Sequence, residues 1–245
     1  MSAETVSRES DGSGELKSSS MASSSPSGHS SAPSSPAWVV NYNLVSGSLW
    51  SFIFIDTVFT AILFGQPQMF DLTSTWLTLI QSGAIVEMYN SAVGNVRSPL
   101  FTTVMQVASR FLLIFGIFQA LPYSPANYHW SYITLSLAWS VSEIIRYYYY
   151  AAKTLSHGNP PRALTYLRYN AFTILYPIGI SSEVFIVYSS LDEAAYVYGP
   201  LYKYFLIACL ISYIPGAYIL YSHMLKQRSK VLKQLANEKA IKKAE

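Results

Sequence analysis

The chain has 245 residues, of which 51% are hydrophobic and only 12% charged, with 20 tyrosines and a formal net charge of +3. A soluble domain carries roughly 25% charged residues, so this composition points to lipid as the solvent. The single cysteine, Cys209, excludes an internal disulfide framework and a cysteine-based zinc site. The four scattered histidines, His29, His129, His157 and His223, lack metal-ligand spacing. No metal, redox cofactor or nucleic-acid partner is expected.

Residues 1–37 contain fifteen serines, with interspersed Pro and Gly and almost no large apolar side chains. Such a segment cannot bury enough surface to offset its ordering entropy, so a disordered, solvated tail is expected over residues 1–41. It has no apolar core of the signal-peptide kind. From residue 44 onward, long apolar runs alternate with short polar breaks. Crossing a bilayer takes about 20 apolar residues per helix. Six segments meet that need: 44–64, 75–93, 100–121, 130–152, 166–188 and 200–221. The second is the weakest, being interrupted by Gln81, Glu87 and Asn90. The expected fold is therefore all-α, a polytopic bundle of six transmembrane helices over residues 42–222.

Orientation follows from where the cations sit, since Lys and Arg collect in cytosolic loops. The breaks at 65–74, 122–129 and 189–199 contain neither, whereas those near 94–99 and 153–165 hold Arg97, Lys153 and Arg162, with Arg168 just inside the next span. After Tyr221 come Lys226, Arg228, Lys230, Lys233, Lys239, Lys242 and Lys243. Both termini are expected in the cytosol, with residues 223–245 a basic tail. The ending Lys242-Lys243-Ala244-Glu245 has the Lys-Lys-x-x form of the cytosolic signal that returns membrane proteins to the endoplasmic reticulum. A basic juxtamembrane tail without an address is the plainer account. The signal requires a cytosolic C-terminus, which the charge pattern independently predicts.

Charges at membrane depth are costly, and each is a candidate functional group. Asp56, Glu87, Arg110, Glu143, Arg146 and Glu183 all fall within the six segments. Glu143 and Arg146 are three apart and can neutralise each other, with Arg146 snorkelling toward a belt of Tyr147, Tyr148, Tyr149 and Tyr150. One interhelical pair such as Glu87 with Arg110 would satisfy two more charges, in a structural or a functional role.

The fifth segment reads Leu175-Tyr176-Pro177-Ile178-Gly179-Ile180-Ser181-Ser182-Glu183. Seven residues span about 700° of helical rotation, so Tyr176 and Glu183 face nearly the same way, roughly 10 Å apart along the axis. Pro177 and Gly179 disturb the helix between them. A phenol and a carboxylate on one stripe suit proton transfer; a structural carboxylate or part of an ion path fits the spacing equally.

Several blocks together carry a resemblance. They are Gly94-Asn95-Val96-Arg97-Ser98-Pro99-Leu100, Gln106-Val107-Ala108-Ser109-Arg110, Ala138-Trp139-Ser140-Val141-Ser142-Glu143-Ile144-Ile145-Arg146-Tyr147, Leu167-Arg168-Tyr169-Asn170, and Leu175 to Gly179 followed by Ser182-Glu183. From about 42 to 230 the chain resembles the very-long-chain (3R)-3-hydroxyacyl-CoA dehydratases, most closely their fungal members. The resemblance implies that Tyr176 and Glu183 are the catalytic pair. It also implies a hydro-lyase of the endoplasmic reticulum membrane that makes trans-2-enoyl-CoA in the third step of fatty acid elongation. Contacts with the condensing enzyme, ketoacyl reductase and enoyl reductase would follow, as would support of sphingolipid synthesis.

Dehydration removes a proton from the carbon α to the thioester and protonates the departing hydroxyl, so it needs two proton-transfer groups near their protons. Glu183 is assigned the α-proton and Tyr176 the hydroxyl; a tyrosinate base with protonated Glu183 satisfies the same chemistry. The anionic CoA head is expected at the cytosolic mouth, where Arg97, Lys153, Arg162 and Arg168 are the available cations, arginine being well suited to phosphate. Glu87, Arg110, Glu143 and Arg146 are expected to support the substrate pocket, with Asp56 alongside. Three other classes compete. A transporter would use the intramembrane charges as an ion path, but no inverted repeat is evident. Protein-tyrosine phosphatases, with which relatives of this family have been compared, use Cys-x-x-x-x-x-Arg, and the sixth position after Cys209 is Pro215. A silent scaffold would have no use for an intact Tyr176 and Glu183.

Overall fold

The computed structural model describes residues 37–83, 85 and 100–244. The serine-rich tail, Glu87, Asn90 and the 94–99 block with Arg97 lie outside the described residues, among which helices are joined by turns and short irregular links and no strand occurs. The helices are α1 (Ala37–Leu63), α2 (Gln68–Ser82) and α3 (Leu100–Leu113), the last continuing as a π-helical segment (Ile114–Gln119). A short 3-10 turn (Pro125–Tyr128) leads into α4 (Trp130–Leu155). Then follow α5 (Arg162–Asn170), α6 (Phe172–Ser189), α7 (Leu191–Tyr198) and α8 (Pro200–Ala244).

Helix α1 shows how lipid shapes these elements. Its inward residues include Asn43, Gly47, Thr57 and Thr60, whereas Phe52, Ile55, Phe59 and Ile62 are exposed at spacings of three and four. The outward face is thus more apolar than the inward one, the reverse of a water-soluble helix and the arrangement a hydrocarbon surround requires. Gly47 permits the close approach of α1 to α4, because a Cβ there would lie 3.2 Å from the Tyr148 ring.

Among the described residues, three helices are long and apolar enough to cross a membrane: Ala37–Leu63, Arg162–Ser189 (α5 and α6 taken together) and Pro200–Asn237 within α8. The first, fifth and sixth expected spans fall inside them. The second, 75–93, overlaps α2 only over 75–82, with 84 and 86–93 outside the described residues, whereas the third and fourth match α3 with its π segment and α4. These are shorter or more polar because they turn polar side chains toward one another. α4 is the central element, packed mainly on α1 and α6, so much of its surface never meets lipid. Its 26 residues bury Ser131, Ser136, Ser140 and Glu143 beside Tyr132, Leu135 and Trp139.

Hydroxyl pairs tie α4 to its neighbours: Thr57 with Ser136 at 2.7 Å, Thr73 with Tyr132 at 2.9 Å, and Thr134 with Ser182 at 2.7 Å. Each such bond inside a membrane bundle contributes about 0.6–2 kcal/mol. At the opposite end from the basic tail, Phe70 stands edge-on to Phe118, Tyr128 and Tyr132, with centroids 5.1–5.6 Å apart. Helix α8 packs on α6 and α7. Its 45 residues reach about 68 Å at 1.5 Å per residue, more than twice a hydrocarbon core of about 30 Å, so the basic half must extend into water.

Candidate active site

Helix α6 carries both members of the expected pair, and both meet α8. Pro177 has no N–H to offer the Thr173 carbonyl one turn earlier. Gly179 is buried against Ala138 of α4, where an added Cβ would sit at an ordinary 3.7 Å. Ser182 anchors the next turn, donating to the Ile178 carbonyl at 2.8 Å while pairing with Thr134. These contacts fix α6 against α4 on the side where Glu183 emerges.

Glu183 is buried, 8% exposed, and each carboxylate oxygen has a donor from another helix. Trp139 Nε1–H of α4 donates to Oε1 at 3.1 Å, and the Tyr213 hydroxyl of α8 donates to Oε2 at 3.0 Å. The Ser109 hydroxyl of α3 faces both Glu183 and Tyr213. Four helices therefore converge on one carboxylate. A carboxylate at this depth without donors would cost several kcal/mol; here the donors leave a lone pair on each oxygen for chemistry.

Tyr176 lies toward the basic end of α8. Its ring stacks on Tyr221, centroids 5.6 Å apart and planes 22° apart, and its hydroxyl donates to the Ala217 carbonyl at 3.3 Å. That bond is long for an O–H donor, so it competes weakly with a substrate oxygen. Tyr176 and Glu183 feel each other electrostatically, yet each has its own partner on α8. Tyr213 and Ala217 are one turn apart on that helix, so the antiparallel pair α6 and α8 presents phenol and carboxylate to the same seam. Pro215 and Gly216 stand inside the continuous α8 at this level, opposite Pro177 and Gly179 of α6.

Beside Glu183 lies an ion cluster. The Glu143 carboxylate is buried, 5% exposed. Its Oε1 accepts from Arg110 Nη1 at 2.5 Å, and its Oε2 accepts from Arg146 Nε at 2.6 Å and Nη2 at 2.5 Å. Arg110 also donates to Gln81 Oε1 at 3.1 Å and lies 5.0 Å over the Trp139 ring. Two guanidiniums flank the Glu143 carboxylate, and one of them, that of Arg110, lies over the indole whose N–H meets Glu183.

The Glu143–Arg146 pairing expected from their spacing is present, with Arg146 also 4.4 Å over the Tyr147 ring. Arg146 is turned inward to Glu143 and does not simply snorkel. Arg110 differs from expectation in its partner: it reaches Glu143 and Gln81, while Glu87 lies outside the described residues. Arg168 is not in this cluster; it sits by Tyr149, next to Tyr169. Asp56 stands apart on α1, accepting from Thr60 at 3.4 Å, its Oδ2 buried without a hydrogen bond. Lys203, which the charge pattern along the chain overlooked, pairs with Asp192 at 2.7 Å. Among the described residues no group of three or more His, Cys, Asp or Glu could hold a metal.

Trp139, Tyr213 and Ser109 acquire roles only in three dimensions. Tyr213 did leave a trace, for Tyr213-Ile214-Pro215-Gly216 repeats the phenol, proline and glycine of Tyr176-Pro177-Ile178-Gly179 on the facing helix. Cys209 lies one turn from Tyr213 and has Pro215, not arginine, at its sixth following position.

Residues 81–234 match the family model described as "Protein tyrosine phosphatase-like protein, PTPLA". The chain is 40% identical over 200 residues to a protein of Schizosaccharomyces pombe named probable very-long-chain (3R)-3-hydroxyacyl-CoA dehydratase, covering 80% of this chain and 92% of that one. It is 36% identical over 208 residues to the Caenorhabditis elegans very-long-chain (3R)-3-hydroxyacyl-CoA dehydratase hpo-8, covering 80% and 94%. The human very-long-chain (3R)-3-hydroxyacyl-CoA dehydratase 2 is 31% identical over 220 residues, covering 84% and 85%. No solved structure matches the chain.

Proposed function

Because the chain belongs to the very-long-chain (3R)-3-hydroxyacyl-CoA dehydratase family and is thus a hydro-lyase, we propose that it eliminates water from its substrate by proton transfer between Glu183 and Tyr176 inside the membrane. The observation that carries this reading is the buried Glu183 carboxylate, held by Trp139 and Tyr213 and facing the same helix as Tyr176. Two hydrogen-bond donors hold the carboxylate in one orientation, as a positioned base requires. Glu183 takes the proton from C2, the C2–H electrons form the C2=C3 double bond, and the C3–O bond breaks. The hydroxyl leaves as water with the Tyr176 proton, and Glu183 then returns its proton to Tyr176 to reset the site.

The wider setting belongs to the same proposal. Six spans are supported by the charge alternation and by the polar interior that lets α2, α3 and α4 be less apolar than lipid-facing helices. Residues 1–41 form a serine-rich tail, 42–222 the catalytic bundle and 223–245 a basic tail, with both termini cytosolic. Arg97, Lys153, Arg162 and Arg168 receive the CoA head there. Lys242 and Lys243 return the protein to the endoplasmic reticulum, where it acts at the third elongation step beside the condensing, ketoacyl-reducing and enoyl-reducing enzymes and supports sphingolipid synthesis. The decisive experiment follows conversion of 3-hydroxyacyl-CoA to trans-2-enoyl-CoA by purified wild type and Glu183→Gln. Turnover by the wild type and a loss of about 10²–10⁴-fold in the variant, the usual contribution of a general base, is expected. Retained turnover in Glu183→Gln would overturn the site.

A further inference from the structure

Tyr213, Ala217, Tyr221 and Arg228 recur at spacings of four, four and seven and so lie along one stripe of α8. The stripe meets α6 and then α5 in order. Tyr213 donates to Glu183, the Ala217 carbonyl accepts from Tyr176, and the Tyr221 ring stands 5.6 Å from that of Tyr176 and 5.9 Å from that of Phe172. At the basic end of the stripe, Arg228 Nε donates to Asn170 Oδ1 of α5 at 2.8 Å. Arginine carries a fork of N–H donors, and Asn170 takes only the one on Nε. Both Nη groups are left over, and among the described residues Arg228 forms no ion pair. The elements that meet there offer no carboxylate: α5 contains no Asp or Glu, and α8 has none before Glu238. Tyr176, Phe172, Tyr221, Asn170 and Arg228 are all half-buried, so each keeps part of its surface outside the protein along the whole length of this seam.

We propose that Arg228, steadied by Asn170, binds the diphosphate of the CoA substrate, with the pantetheine arm lying along the half-buried side of the seam between Arg228 and Tyr176. The inference rests on the placement of proton transfer at Tyr176 and Glu183. Ala217, level with the Tyr176 hydroxyl, and Arg228 are eleven residues apart on α8, or about 16 Å along its axis. About 16 bonds separate C3 of the substrate from the nearer phosphorus of CoA, and an extended amide-bearing chain advances about 1.2 Å per bond, a reach of about 19 Å. The arm therefore covers the distance with little slack when C3 is beside the phenol. A planar guanidinium suits paired phosphate oxygens, and the Nη groups needed for it are the ones that Asn170 leaves free. Other cations are placed differently. Arg168, two residues before Asn170, sits by Tyr149, and Lys226, Lys230 and Lys233 fall on the opposite face of α8 from Arg228 by helical phase.

Arg228→Gln should raise KM for a 3-hydroxyacyl-CoA by about 10- to 100-fold, the weight of hydrogen bonds to a charged group, and leave kcat within about threefold. The same 3-hydroxyacyl group carried on pantetheine, which has the arm but no phosphate, should keep its KM in the variant. Free CoA, measured as a competitive inhibitor, should weaken by the same factor as the CoA thioester. Arg228→Lys keeps the charge without the fork and should raise KM for the CoA thioester by about three- to tenfold; it carries the test if Arg228→Gln does not fold. An unchanged KM for the CoA thioester in the folded variant, or equal losses on both thioesters, overturns the proposal and leaves the guanidinium to lipid headgroups or to the joining of α5 and α8. If wild type turned over neither thioester, the dehydratase reading itself would fail, a separate result.

Discussion

Tyr213→Phe removes one oxygen atom and keeps the ring that fills the seam between α8 and α3. The Glu183 Oε2 loses its 3.0 Å donor, while Oε1 keeps Trp139 at 3.1 Å. A hydrogen bond to a charged group contributes about 1.5–3 kcal/mol, so if all of it orients the base in the transition state, kcat falls by about 10- to 150-fold at 1.36 kcal/mol per tenfold. Tyr213 touches the carboxylate rather than the substrate, so KM should change by no more than about threefold. The assay is steady-state kinetics on purified protein with a 3-hydroxyacyl-CoA, paired with thermal unfolding to confirm that the bundle is intact. Trp139→Phe should behave alike through Oε1. The double variant should fall to the level of Glu183→Gln, because a carboxylate with neither donor is no longer held. A folded Tyr213→Phe with kcat within twofold of wild type, or with its loss confined to KM, would refute Tyr213 as the residue that positions Glu183.

Glu143→Gln should destabilise the protein by about 3–5 kcal/mol, the cost of breaking a buried ion pair from one side, read as a lowered unfolding midpoint in detergent. Arg110→Met combined with it should restore part of that loss, and strict additivity would show that the two do not interact. Exchange of the α-proton with solvent should survive in Tyr176→Phe and vanish in Glu183→Gln; the opposite pattern would exchange their roles. Lys242→Ser with Lys243→Ser should move the protein from the endoplasmic reticulum to later compartments, and imaging that finds it unmoved would remove the retrieval role.

What could be read from the residues depended on whether partners shared a helix. Tyr176 and Glu183 lie on α6, and Glu143 and Arg146 on α4, so helical phase alone aligned each pair. Trp139 and Tyr213 lie 44 and 30 residues from Glu183, and Arg110 lies 33 from Glu143, each on a different helix, where no periodicity connects them. The apolar runs of α1, α6 and α8 were plain because lipid demands them. α2 and α4 were harder, since helices that face other helices are freed from that demand and carry Gln81, Glu143 and a run of serines instead. The π-helical turn at Ile114–Gln119 left no mark in an apolar stretch, although it presents the Gly116 carbonyl to Tyr202.

The ion cluster and the Glu183 carboxylate meet the cost of burial in related ways. An isolated carboxylate loses most of its solvation on entering hydrocarbon, and Trp139 and Tyr213 replace only part of that with hydrogen bonds. Glu143 alone would compound the problem, but it is held between Arg110 and Arg146. Arg110 lies over Trp139, whose N–H points at Glu183, so one buried indole links the two carboxylates' surroundings. A direct Arg110–Glu183 ion pair would hold the carboxylate more tightly and blunt it as a base. The interposed indole belongs to α4, which packs against both α1 and α6. The central helix therefore supplies one donor to the Glu183 carboxylate, while α6 and α8 form the seam to which the proposed proton transfer is assigned.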